Sequence, residues 1–158
     1  RVVVIWEDDR ANSPNDLVND IYANHFVLTI PSLSADTFTL SQSTGGTVNF
    51  FLDAGLDRAG RGYLLLGSIS GTVPGTPLPG GLVTLPLNLD AVTYLILGLI
   101  NTPAFSNFQS QLDGGGSAAA QMNISPVPGA AGLTLYFAYA LTNPCDFASN
   151  HVWIWVGE

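Results

Sequence analysis

From Leu133 to Thr142 the chain alternates, with Leu133, Leu135, Phe137, Tyr139 and Leu141 on one side and Thr134, Tyr136, Ala138, Ala140 and Thr142 on the other. A period of two is the repeat of a β-strand with one face in a core, whereas a helix needs like residues three or four apart. The pattern recurs at Thr47–Asp53, with Val48, Phe50 and Leu52 inward. It returns at Ser117–Ile124 through Ala118, Ala120, Met122 and Ile124, and at His151–Val156 through Val152, Ile154 and Val156. Clusters of Gly and Pro punctuate these runs at 53–62, 71–81, 113–116 and 126–132. About eight or nine short strands joined by such turns predict an all-β antiparallel sandwich, Ig-like or jelly-roll-like. Leu65, Phe50, Phe137 and Ile154 are expected in its one core.

Other stretches carry weaker signals. Tyr63–Ser70 is almost wholly apolar and fits a central strand covered on both faces. Phe51 interrupts a polar face and implies cover from elsewhere. Ala35–Ser41 alternates with Phe38 and Leu40 on one face, and Leu82–Leu87 reads as a short strand. Asp90–Ile100 fits either a helix, capped by Asn88 or Asp90, or a strand; one helical turn followed by a strand is favoured.

Residues 1–30 differ from the rest. Val2–Trp6 and Ile21–Ile30 are apolar β-type runs flanking a loop rich in Asp, Asn, Ser and Pro, which predicts a β-hairpin arm ahead of a sandwich body at 31–158. Val2, Val4 and Trp6 lie on one face of the first run, Val3 and Ile5 on the other, so both faces need cover. That cover comes either from the chain's own body or from a neighbouring copy. Val2, Val3, Val4, Ile5, Trp6, Ile21, Tyr22 and Phe26 are therefore the expected contacts between subunits.

The charge balance excludes several functions. The only cations are Arg1, Arg10, Arg58 and Arg61, against 12 acidic residues and a net charge of −8. Nucleic-acid binding requires clustered cations, so it is not expected, and an anionic membrane surface is disfavoured for the same reason. Leu82–Ile100 is interrupted by Pro86, Asn88 and Asp90, leaving no transmembrane segment in prospect. Cys145 is the single cysteine, so no internal disulfide can form. The chain opens on Arg, as expected of a processed product.

Two sets of residues carry a resemblance. WEDDRANSPNDLVNDIYANHF resembles a W-(E/T)-D-x-R…D-I-Y-A-x-x-F repeat of large secreted bacterial proteins, where such units recur in propeller-like arrays. TVNFFLDAGLDRAGRGYLLLGSISGTVPGTPLPGG, LDGGGSAAAQMNI and DFASNHV resemble the C-terminal β-sandwich domain that closes many of those proteins. The resemblance implies an extracellular or cell-surface location and a structural role, and its motifs carry no catalytic signature. A single copy of the repeat cannot build a propeller, so the hairpin serves another end.

Asp8, Asp9, Asp16 and Asp20 offer oxygens to Ca²⁺, but the D-x-D-x-D-G spacing is absent, and a solvated loop with Asx turns accounts for them. Asp53 and Asp57 read the same way. His25 and His151 stand singly on strands, with Cys145 the only thiol to join them, which is short of a zinc set. No G-x-S-x-G, P-loop or dinucleotide motif occurs, and no enzymatic activity or resident cofactor is expected. With Val152, Ile154 and Val156 inward, Trp153 and Trp155 face outward near Tyr136. Such aromatics suit a contact between subunits or a platform for sugar rings. The sequence thus points to a subunit of an extracellular fibre or layer built from copies of itself. The alternative is a polysaccharide- or surface-binding module of a secreted protein, with Ca²⁺ as a candidate aid.

Overall fold

The computed structural model describes residues 30–158 and, ahead of them, the backbone of β1 (Val4–Glu7) and β2 (Ile21–Asn24). These two strands pair antiparallel, Val4 opposite Asn24 and Glu7 opposite Ile21, as a two-stranded sheet of their own. Arg1–Ile30 and Pro31–Glu158 are separate compact units. Val2, Val3, Phe26, His25, Asp8, Asp9, Asp16 and Asp20 lie outside the described residues, as do the side chains of Val4, Ile5, Trp6, Ile21 and Tyr22.

In the second unit the alternating runs become β5 (Gly46–Asp53), β11 (Ser117–Ile124), β12 (Thr134–Leu141) and β13 (Val152–Gly157). With them stand β3 (Leu33–Ala35), β4 (Thr39–Ser41), β6 (Gly62–Ser68), β9 (Phe105–Ser106) and β10 (Gln109–Gln111). One sheet runs β10-β6-β12-β13-β4 and the other β3-β5-β11-β9, giving a mostly antiparallel sandwich. Among the described residues no helix is long and apolar enough to cross a membrane.

The core lies between the sheets. Leu65, Phe50, Phe137 and Ile154 are fully buried there, as the alternation predicts. Phe50 meets Phe137 at 4.8 Å and Phe108 edge-on at 5.8 Å, an aromatic centre bridging the sheets. Tyr139 is equally buried, yet its hydroxyl has no hydrogen-bond partner among the described residues. Burial, with the Asp53 charge second, pushes its ionisation above the ordinary tyrosine range. Removing an unpaired buried hydroxyl relieves its desolvation, so Tyr139→Phe is expected to leave stability unchanged or raise it by about 1 kcal/mol. Urea unfolding checks this, and a loss of similar size would reveal a polar partner.

The outer face of the five-stranded sheet is half covered. The segment holding β7 (Thr76–Pro77) and β8 (Thr84–Leu85) folds across β6 and β12. It packs Leu78, Leu85 and Leu87 on Leu66, Ala138 and Ala140. Asn88 pins it, accepting from Gly75 N–H (3.0 Å) and donating to the Ser70 and Val73 carbonyls (2.8 Å each). This is the two-sided cover that the apolar run of β6 implies.

The structure corrects several expectations. Ala91–Gly98 is a continuous eight-residue helix, α1, rather than one turn and a strand. Asp90 and Thr93 form a capping box that starts it, and Ile96 seats against Gly67, where a Cβ would lie 2.7 Å from the Ile96 Cδ1. Tertiary packing and a cap thus override the β-type composition. Phe38 does not share a face with Leu40: the chain bends at Phe38, leaving it 44% exposed while Leu40 is buried. Phe51, on the outer face of β5, is half exposed rather than covered. β4 joins β13 in parallel, Thr39 opposite Trp155, in an otherwise antiparallel pattern. The short β7, β8 and β9 raise the strand number above the eight or nine expected.

Candidate functional site

The motif residues in the body hold loops. Asp113 Oδ1 accepts from Gly115 N–H (2.8 Å) and Ser117 N–H (2.9 Å), and Asp53 Oδ1 from Gly55 N–H (2.9 Å). Gly116, at φ +82°, presses against the Gly55 carbonyl, where a side chain would collide with backbone. Asn150 accepts from Leu33 N–H (3.0 Å) and donates to the Leu33 carbonyl (2.9 Å), tying β3 to the approach of β13. Arg61 pairs with Asp146 at 2.7 Å and also donates to the Pro144 carbonyl. Arg58 lies 4.5 Å above the Phe147 ring and donates to the Ala54 carbonyl (2.8 Å). Both cations in the described residues are thus engaged in structure.

Hydrogen bonds depress several carboxylates. Asp36 is held below the usual range first by the Asn49 side chain, and Asp113 by the backbone N–H groups of Ser117 and Gly115. Asp146 is held down chiefly by its hydrogen bond from Arg61. Among the described residues no three His, Cys, Asp or Glu side chains gather as a metal group would require. Asp53 and Asp57 belong to the loop at 53–62, His151 is exposed, and Cys145 is a half-buried free thiol. Ser68, fully buried, donates to the Asn88 carbonyl (2.6 Å) and the Asp90 carboxylate (3.0 Å), a structural arrangement.

Two features remain that structural roles do not absorb. The first is an aromatic strip on the part of the five-stranded sheet that β7 and β8 leave open. Trp153 and Trp155, two residues apart on β13, are 48% and 44% exposed. Trp153 sits opposite Tyr136 on β12 and 5.6 Å from the Phe38 ring. His151 flanks Tyr136 at 6.1 Å. Trp155 lies between Thr134 on one side and Thr39 on the other. None of these side chains is a carboxylate. β4 forms the edge of the sheet here, with its Ser41 carbonyl already taken by Gly45 N–H (2.8 Å) and its Thr39 carbonyl by the Thr37 hydroxyl (3.3 Å).

The second feature is a cavity of about 180 Å³ between the sheets, where α1, the 42–45 turn and the 125–133 loop meet. Buried Leu40, Ile96, Phe105, Met122 and Phe137 form its depth. Gln42 fastens the turn to the loop: its side-chain oxygen accepts from Gly129 N–H (3.0 Å) and Ala131 N–H (3.3 Å). Sequence reasoning missed this cavity, because a strand lining a void alternates just as one in contact does. The available signal was α1, whose apolar residues continue around to the exposed Tyr94, Leu95 and Leu97. Comparison with protein-family models, curated proteins and solved structures yields no match.

Proposed function

We propose that this chain is a non-enzymatic structural module of an extracellular assembly, joined copy to copy by the hairpin of one subunit against the sandwich of the next. The observation that carries the reading is the open aromatic strip at Trp153 and Trp155 beside the edge strand β4. Large exposed aromatics beside a sheet edge favour docking of a further strand, with the side chains supplying most of the contact and the register. A second copy is the favoured occupant on charge grounds. Chains carrying −8 each repel one another, and the strip, which holds no carboxylate, adds nothing to that repulsion where the acidic hairpin would meet it. The hairpin is a compact unit of its own whose two strands also need a third partner for independent stability. Head-to-tail contacts of this kind extend into filaments when the rotation between copies does not close.

Sedimentation velocity tests the strip. The wild-type chain is expected to form larger species as concentration rises, more so at 0.5 M salt than at low salt, because screening weakens the repulsion. Trp153→Ala combined with Trp155→Ala, both surface changes, is expected to leave the fold intact and abolish those species. Unchanged association in the double variant rejects the strip as the contact.

A second reading, favoured by the two neighbouring indoles on one strand face with Tyr136 beside them, is a polysaccharide platform. Quenching or shift of tryptophan fluorescence by soluble polysaccharide, without change in sedimentation, supports it over assembly.

A further inference from the structure

We propose that the cavity between the sheets is a binding site for one uncharged alkyl chain. Three observations carry the proposal. Its size comes first: native interiors hold few voids larger than a water, and this one is about 180 Å³. An engineered apolar cavity of about 150 Å³ takes one benzene, so this one has room for an alkyl segment of about six carbons.

Chemistry comes second. Every side chain on its walls is un-ionisable, and of the three polar ones Ser41 and Gln42 are already hydrogen-bonded, which leaves Ser125 alone. Ser41 Oγ accepts from Ser43 and Thr44 N–H (3.2 Å each), and the Gln42 oxygen is taken by the 125–133 loop. Water inside would lack the two to four partners it needs, so the site favours hydrocarbon over solvent. The described cations, Arg58 and Arg61, are engaged elsewhere, and the chain carries −8. A carboxylate or phosphate end would find no counter-charge, which selects a neutral ligand.

The mouth comes third. Ile69, Leu95, Val127 and Leu133 line the cavity yet are 42%, 57%, 48% and 44% exposed, so the apolar lining continues out to the surface. Exposed apolar side chains gathered round an opening mark an entrance rather than a packing fault.

The chain has one methionine, Met122, and it lies in the cavity wall, so a methyl-¹³C-methionine sample of the full chain gives a single reporter signal. Titration with 1-hexanol is expected to move that signal along a saturating curve. Ala130→Phe, which places a ring in the cavity, is expected to abolish the shift. Leu133→Asp, at the half-exposed rim, is expected to keep a cooperative melt and to weaken binding about tenfold by setting a charge in the entrance. A second arm uses vesicles of neutral phosphatidylcholine. Flotation with the vesicles and a moved Met122 signal assigns the chain to a membrane lipid; saturation by hexanol without flotation assigns a free ligand. A linear, non-saturating drift, an undiminished shift in both variants, or flotation with the signal unmoved overturns the proposal. A signal that moves with protein concentration alone places a second copy's side chain in the cavity and equally overturns it.

Discussion

Replacing Phe137 by Ala is expected to lower the unfolding free energy by about 3–5 kcal/mol. Phe137 is fully buried in β12, opposite Gly67 of β6, and touches the Phe50 and Phe108 rings that bridge the two sheets. Truncation removes the transfer energy of the ring and leaves a void that joins the existing cavity, which Phe137 also lines. The shared wall hinders collapse, so the upper half of the range is expected. For a domain of this size the melting temperature should fall by about 10 °C or more. Calorimetry checks this, and a fall of only a degree or two would mean that the aromatic centre is not where the sheets are joined.

Asp90→Ala is expected to cost about 2–4 kcal/mol. Asp90 links two elements at once. Its carboxylate caps α1 through Val92 N–H (2.9 Å) and Thr93 N–H (3.1 Å). It also accepts from Ile69 N–H (2.8 Å), Ser70 N–H (2.9 Å) and Ser68 Oγ (3.0 Å) at the end of β6. Burial alone would raise its pKa, but these bonds, led by that from Ile69, outweigh burial and hold it at about 2 against an ordinary 3.8. A carboxylate depressed in the folded state contributes stability that is present above its unfolded pKa and is lost as pH falls through the folded one. The wild type should therefore weaken between about pH 4 and pH 2, with Asp36, Asp113 and Asp146 acting in the same direction. In Asp90→Ala that slope should be shallower, as denaturant titrations across this window will report. An identical slope would remove Asp90 from the acid response.

Much of the sandwich was legible because its central strands carry a strict period of two. β5, β11, β12 and β13 appear where alternation places them, and the outward direction of Trp153 and Trp155 follows from burial of Val152, Ile154 and Val156. The alternation read over Ala35–Ser41 marks the place of β4, but its parallel pairing with β13 was not legible, because the partner of a strand is a tertiary choice. α1 was obscured because a segment apolar on all sides shows no face, and its identity rests on the Asp90–Thr93 cap and on room above Gly67. The cover of β6 by Leu85 and Leu87 was implied only as a need, since the apolar run of β6 says that something must lie there and not what. The open strip was readable residue by residue, whereas its bareness depends on how far the β7–β8 segment reaches. The cavity was hidden entirely, because shape at that scale comes from which loops meet.

Assembly through the hairpin is tested most directly by comparing the full chain with residues 31–158, a compact unit with its own core. Sedimentation velocity at matched concentrations, with negative-stain electron microscopy of the same samples, is the measurement. The expected result is extended, concentration-dependent particles from the full chain and a folded, cooperatively melting monomer from 31–158. Equal assembly of both chains, or a full chain that stays monomeric at every concentration and salt, would contradict it.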